Sequence, residues 1–334
     1  MREVADLAGV STATVSRVLS GALRSEAATR ERVLSAAEQL AYRPSATARA
    51  LRRRATQTLG LLVTDIENPF FPEVVRAVED AAHLRGYGLL LCNAADDPQR
   101  ELAYLNLLLE RRVDGVVIAS SRVTRRHAAL LARSPVPVVL VNSEARGSGL
   151  PAITTDNRRA ARLAAVHLLS LGHTTIAHVT APAANAAAGL RLAGVRDALR
   201  AAGVTGELAI AMGDGHVEGG ERAVAELLAH APAVTAIACY NDLTAIGALR
   251  AARACGRRVP DDLSVVGFDD IDLAAWTDPP LTTVAQPTAE MGRLAVEHLA
   301  ARLEAGAAAD GGGPEVVHLP ATLVQRGSTA PPSR

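Results

Sequence analysis

The 334-residue sequence contains no lysine; all 35 of its cationic side chains are arginine. That excludes a Walker-type phosphate loop, a Schiff-base lysine and the lysine-dependent kinase signature. Cysteine is almost as scarce. Cys92, Cys239 and Cys255 are odd in number, widely spaced and without CxxC or Cys/His spacing, which excludes a disulfide framework and a zinc finger or ribbon. Aromatic residues make up 2% of the chain against 49% hydrophobic residues overall, so the core must be built from Ala, Val and Leu. No apolar run approaches the ~18 residues of a membrane span. Charged and hydroxyl residues interrupt the N-terminal stretch every few positions, so no signal peptide is expected and the expected compartment is the cytoplasm.

The chain is long enough for two or three folded units. Its formal net charge of zero hides an asymmetry. Residues 1–56 carry ten Arg and five acidic side chains, and the remainder carries 25 Arg and 30 acidic ones. A small basic head on a larger acidic body points to a polyanionic partner for the head.

Within the head, Arg2 to Ala8 has helical composition, Gly9-Val10 breaks it, and Ser11 is a good N-cap for a second short helix from Thr12 to Leu19. A third helix is expected from about Ala27 to Ala41, with Val33, Ala36, Ala37 and Leu40 at helical spacing. Val4, Ala5, Ala8, Val10, Val15, Val18 and Leu19 complete one apolar core. Two helices joined by a tight glycine turn, with a third closing the core, form a helix-turn-helix arrangement. A three-helix bundle that binds nothing would share this pattern, but the second helix presents Thr12, Ala13, Ser16 and Arg17. These short or forked side chains fit a DNA major groove, with Arg17 suited either to guanine or to phosphate. Beyond Tyr42-Arg43-Pro44, Ser45 can cap a helix from Ala46 to Arg52 that is too short to be stable alone. This stretch reads either as a solvated basic linker or as a hinge whose Leu51 wedges into a minor groove while arginines hold phosphates.

In the body, strand-like runs (Leu59–Val63, Gly88–Cys92, Gly115–Ile118, Val136–Val141, then Ile176–Val179, Ala236–Tyr240 and Val265–Phe268) alternate with helical segments. Alternation in two series predicts two doubly wound, parallel-sheet α/β lobes. Ligands bind such sheets beyond the C-terminal strand ends. Asn68-Pro69-Phe70-Phe71, Asn241-Asp242 and Asp269-Asp270 follow strands, and Arg191 lies in Gly189–Gly194. Asn, Asp and Arg converging between lobes suit the hydroxyls of a sugar or nucleoside, with Phe70 or Trp276 stacking on its apolar face. Each has an alternative: Asp242 and Asp270 as helix N-caps, Phe70 and Phe71 as core. No GxGxxG, GxSxG or HExxH occurs, so no dinucleotide, nucleophile elbow or metal site is expected, and no cofactor.

These residues together resemble the LacI/GalR family of bacterial repressors. In the head the resemblance is carried by Glu3-Val4-Ala5, Ala8-Gly9-Val10-Ser11, Ala13-Thr14-Val15-Ser16-Arg17-Val18-Leu19, Tyr42-Arg43-Pro44 and Ala48-Arg49-Ala50-Leu51. In the body it is carried by Asn68–Phe71, Leu171-Gly172-His173, Arg191–Gly194, Asn241-Asp242, Val265–Asp270 and Pro279–Val284. The resemblance implies a repressor that binds a near-palindromic operator as a homodimer and a small effector, a sugar or its derivative, in a core similar to periplasmic sugar-binding proteins. It places Thr12, Ala13 and Arg17 on bases, and Ala48, Arg49 and Leu51 on the hinge helix. It places Phe70, Phe71, Asp156, Arg191, Asn241 and Asp269 on the effector. Its domains would be 1–43 for DNA, 44–56 for the hinge and 57–334 for the core. In the core, an N-lobe of 57–156 and 288–315 faces a C-lobe of 157–284 and 316–327. Three departures stand out. Met1 occupies the family's first apolar slot with no cap before it, so a start a few residues upstream is expected. Gly215 replaces a stacking aromatic. Ala186 and Ala187 replace polar purine contacts, which disfavours a purine ligand. Two other classes fit the lobes less well. A secreted solute-binding protein lacks its signal peptide here, and a sugar- or nucleotide-modifying enzyme lacks a phosphate loop, an elbow and lysine.

Overall fold

The computed structural model describes residues 1–19, 27–42, 55–119, 131, 134, 136–144, 149–183, 185–305 and 316–333. The chain divides into two compact units, Met1–Gln57 and Thr58–Arg334. The expected hinge helix, with Ala48, Arg49 and Leu51, lies outside the described residues.

The first unit packs three helices, α1 (Arg2–Ala8), α2 (Thr12–Leu19) and α3 (Ala27–Gln39). Gly9 stops α1 with φ 64°, a left-handed conformation open to glycine at no steric cost, which brings the Val10 N–H to the Ala5 carbonyl at 3.0 Å. Ser11 Oγ then accepts the Thr14 N–H at 3.1 Å and starts α2. Val4, Ala5, Ala8, Val15, Val18, Val33, Ala36 and Ala37 are buried together. Leu40 does not join them. α3 ends at Gln39, Ala41 turns to φ 45°, and Leu40 is left exposed.

In the second unit, a six-stranded parallel sheet has the order β11-β5-β4-β3-β1-β2. Its strands are β1 (Thr58–Val63), β2 (Gly88–Asn93), β3 (Gly115–Ala119), β4 (Val138–Val141), β5 (Ala152–Thr155) and β11 (Val316–Leu319). Helices α4 (Phe70–Leu84), α5 (Pro98–Glu110) and α10 (Thr288–Ala305) cover it. A four-stranded parallel sheet has the order β7-β6-β8-β9, from β6 (Ile176–Thr180), β7 (Ala209–Met212), β8 (Ala236–Cys239) and β9 (Ser264–Val266). Its helices are α6 (Asn157–Ser170), α7 (Ala186–Ala201), α8 (Val217–His230) and α9 (Asp242–Ala254). A third, antiparallel pair joins β10 (Thr283–Ala285) to β12 (Thr322–Val324). The chain therefore passes between the lobes three times, near 156, 287 and 320.

The last passage corrects the expected lobe boundary. Residues 316–319 belong to the first lobe, where β11 pairs with β5 in parallel from Val316↔Ala152 to Leu319↔Thr155. Only from β12 onward does the tail reach the second lobe, with Leu323 against the core of α6 and α7. The physical reason is that β5 would otherwise present an unpaired edge. β11 is itself a half-exposed edge strand, so its composition carries little apolar signal. Asp97, Asp156 and Asn185 start α5, α6 and α7 as caps, their side-chain oxygens accepting the N–H groups of Gln99, Arg159 and Ala187.

Scarcity of aromatic residues shapes the packing. Helix pairs close up on alanine and glycine rather than on large side chains. A Cβ at Gly194 would lie 2.1 Å from the Arg158 carbonyl oxygen across α6 and α7, and one at Gly247 would lie 2.1 Å from the Val217 carbonyl oxygen across α8 and α9. Since backbone must move to admit a methyl group there, Gly194→Ala is expected to cost about 1–3 kcal/mol. Urea unfolding checks this; an unchanged midpoint would show that the helices slide apart freely.

Candidate functional sites

On the first unit, α2 exposes Thr12, Ala13 and Arg17 together, with Ser16 half-buried beside them. Val15 and Val18 on the opposite side are buried. The Arg17 Nε–H donates to the Ala13 carbonyl at 3.3 Å, which draws the guanidinium along the exposed side of the helix. All four expected α2 residues thus lie along one side of the helix, away from the buried Val15 and Val18.

On the second unit, a cleft opens beyond the C-terminal ends of the strands of both lobes, as doubly wound sheets dictate. Phe70 and Phe71 enter it from the start of α4, where the Asn68 side chain accepts the Phe70 N–H at 3.1 Å and sets the turn. Both rings are buried and meet edge to face at 5.3 Å. From the other lobe come Arg191, Asn241 and Asp269. Arg191 is 3% exposed. Its Nε donates to Asn157 Oδ1 at 2.8 Å, its Nη1 to the Tyr240 carbonyl at 2.7 Å, and its guanidinium lies 3.6 Å from the centre of the Phe268 ring. Asp269 Oδ1 stands 3.7 Å from Arg191 Nη2 and accepts Gln286 Nε2 at 2.7 Å. Burial pushes the Asp269 carboxyl up to about 7, against the opposing pull of Arg191. Asn241 caps α9 by accepting the Thr244 N–H at 2.9 Å and donates to the Gly215 carbonyl at 2.9 Å.

Two expected residues are elsewhere. Trp276 sits at the end of a short 3₁₀ turn, 85% exposed, and does not line the cleft. Asp156 also does not line it, because its carboxylate caps α6; its neighbour Asn157 faces inward to Arg191 instead. Asp242 and Asp270 do not line the cleft. Sequence reading passed over Asp65, Asp96, Asn142, Asn185, Asp214 and Tyr240, which do. Asn142 directly follows β4, so the strand-end rule applied to every strand would have found it. Asn142 Oδ1 is buried with no hydrogen-bond partner among the described residues. The Asn185 amide donates to the Tyr240 hydroxyl. Gly215, at φ 92°, leaves the wall beside Tyr240 open.

Among the described residues, the lining carries four carboxylates, from Asp65, Asp96, Asp214 and Asp269, and one guanidinium, that of Arg191, already committed to Asp269; Asp214 in turn pairs with Arg222 at 3.2 Å. Such a set attracts hydroxyl donors and repels anions, while Phe70 and Phe71 offer an apolar wall. Among the described residues no group of His, Cys, Asp and Glu could hold a metal ion, and no helix is long and apolar enough to cross a membrane.

Comparison with known proteins bears on both units. A family model for bacterial regulatory proteins of the lacI family matches residues 1–45, and one for periplasmic binding proteins and the sugar binding domain of the LacI family matches residues 56–327. The sequence is 37% identical over 306 residues to the HTH-type transcriptional repressor PurR of Photobacterium profundum, covering 91% of this chain and 92% of that one. It is 38% identical over 305 residues to the ribose operon repressor of Escherichia coli, with coverage of 91% and 92%. Among solved structures, the lac repressor dimer bound to operator and the anti-inducer ONPF is similar with TM-score 0.87 at 29% identity over 98% of both chains. A LacI family transcriptional regulator from Enterococcus faecium with bound ribose gives TM-score 0.72 at 34% identity, over 82% of this chain and 99% of that one.

Proposed function

Because the chain belongs to the LacI family of bacterial regulatory proteins, we propose that it is a DNA-binding repressor whose grip on its operator is set by a small uncharged sugar held between the lobes. The observation that carries the sugar is the lining itself: Arg191, Asn241, Asp269 and Asn142, donors and acceptors for hydroxyl groups, beside the apolar wall of Phe70 and Phe71. A similar regulator with bound ribose supports a pentose as the first candidate. The protein acts by binding, in the cytoplasm where its DNA lies. We read residues 1–43 as the DNA-binding domain and 44–56 as the hinge. A homodimer would present two copies of α2 to half-sites about one helical turn apart. Effector and DNA binding are then linked reciprocally; a 100-fold change in operator affinity corresponds to about 2.7 kcal/mol of coupling.

Gel shifts against inverted repeats from the protein's own upstream DNA, with and without D-ribose and other neutral sugars, test this reading. No preference for any inverted repeat over random competitor would end it. Within it, the two parts of the DNA surface separate cleanly. Arg17→Ala is expected to weaken operator binding by about 1–3 kcal/mol. Leu51→Ala is expected to keep salt-sensitive non-specific binding and lose about tenfold or more in operator discrimination. Footprinting with unchanged discrimination would remove the Leu51 wedge from the account.

A further inference from the structure

The segment Phe268–Ile271 after β9 carries the cleft carboxylate on an unusual backbone. Asp269 has φ 122° and Asp270 φ 61°, two successive non-glycine residues in a region that L side chains rarely adopt. Something must hold them there. The group that grips this turn is Asp242, the first residue of α9, wholly buried and outside the cleft lining. Its Oδ2 accepts the Ile271 N–H at 2.9 Å, its Oδ1 accepts the Thr283 hydroxyl, and its own N–H donates to the Phe268 carbonyl at 2.8 Å. One residue thereby pins both ends of the turn and ties it to β10. Gly267 makes room for this: a Cβ there would fall 2.0 Å from Asp242 Oδ1. On the far side, Arg326 Nη2 pairs with Asp270 Oδ1 at 2.6 Å, and the Asp269 N–H donates to the Val284 carbonyl at 2.9 Å.

We infer that Asp242 is the positioning residue of the effector site: it holds the Phe268–Ile271 turn so that the Asp269 carboxylate faces Arg191 and the cleft. The inference rests on reading the cleft as an effector site. Asp242 makes its contribution before any ligand arrives. Without its carboxylate, the turn relaxes toward negative φ and swings Asp269 away from Arg191. Asparagine preserves most of this, because its oxygen can still accept the Ile271 N–H while its amide donates to Thr283, whose hydroxyl serves as donor or acceptor.

The test uses the full chain in two arms. In ligand-free crystals of Asp242→Ala, Asp269 is expected to leave its left-handed φ and its place beside Arg191, whereas Asp242→Asn keeps both. In calorimetry with D-ribose as probe, Asp242→Ala is expected to lose about tenfold or more in affinity, and Asp242→Asn to stay close to the parent. Thr283→Val, which removes one donor to the carboxylate, is expected to shift Asp269 in the same direction by less. Asp269 unmoved in Asp242→Ala, or in Thr283→Val should the alanine variant not fold, overturns the inference. A parent protein that ignores ribose would count against the sugar reading alone, because the ligand-free arm decides the role of Asp242.

Discussion

Replacing Arg191 with alanine is expected to abolish the effector response and to destabilise residues 58–333 by about 3–5 kcal/mol. The size follows from what the guanidinium does. It is buried, it donates to Asn157 Oδ1 and the Tyr240 carbonyl, it stacks on Phe268, and it is the countercharge to Asp269, which is itself 6% exposed. Deleting it leaves a buried carboxylate with Gln286 as its remaining donor and no opposite charge. Burial already pushes that carboxyl up to about 7 against the pull of Arg191. Without Arg191 it rises further and takes up a proton. The sign of the pH dependence follows: the penalty is largest at alkaline pH, where Asp269 must stay charged, and shrinks as pH falls and the carboxyl neutralises. Asp269→Asn in the same background should recover part of the loss, a coupling that a double-mutant cycle measures directly. Operator binding by the folded variant should persist, since Arg191 lies in the second unit and α2 in the first. Normal effector affinity in the Arg191→Ala variant would refute the site.

The second large effect is acid destabilisation centred on His178. This side chain sits in the middle of β6, fully buried. Its Nδ1–H donates to the Ala238 carbonyl at 2.8 Å, and its Nε2 has no hydrogen-bond partner among the described residues. Burial above all lowers its pKa from 6.5 to about 4; the Ala238 bond opposes the shift, and the charges of Arg191 and Arg196 add to it. The folded-state pKa is depressed, so between about 6.5 and 4 the unfolded chain binds the proton and the folded chain does not. Stability is therefore lost as pH falls through that window, by about 3 kcal/mol from this residue once pH is below 4. His167 and His173, both lowered chiefly by burial, add in the same direction. Urea unfolding of the parent and of His178→Val at a series of pH values from 7 to 4 isolates this contribution, because the raised Asp269 and Asp242 carboxyls move the parent's total stability in the opposite direction over the same window. In His178→Val the slope should lessen by about one proton, whatever the variant does to stability at pH 7. Identical slopes in the two proteins would mean that His178 is protonated in the fold.

Much of this arrangement could be read from the chain before its structure. The helix-turn-helix core from Val4 to Ala37 rests on local spacing, a glycine stop and a serine cap, all of which act within a few residues. Phe70, Phe71, Asn241 and Asp269 were legible because strand ends and helix starts mark cleft positions in doubly wound sheets; Arg191, inside α7, was placed by the family resemblance. Asp156 and Trp276 lie outside the cleft lining for one shared reason. Whether an Asp caps a helix or faces a ligand, and whether a Trp faces inward, depends on the direction of a side chain, which neighbouring residues do not reveal. β5, β7, β10 and β12 went unread because each has only three or four residues, too few for a periodic signal; their pairing partners make them strands.

Sequence by itself determined the division into a basic helical head and an alternating α/β body, because periodicity, caps and charge are local quantities. It also determined how the core is packed, since a chain with so few aromatic rings can fill its interior only by bringing helices close on alanine and glycine. Tertiary structure alone decided that residues 316–319 return to the first sheet. It alone brought Asp96 and Asp214 to the cleft and placed Asp242 behind the turn that carries Asp269. Those contacts join segments tens to hundreds of residues apart, and only the folded chain brings their side chains within hydrogen-bonding distance.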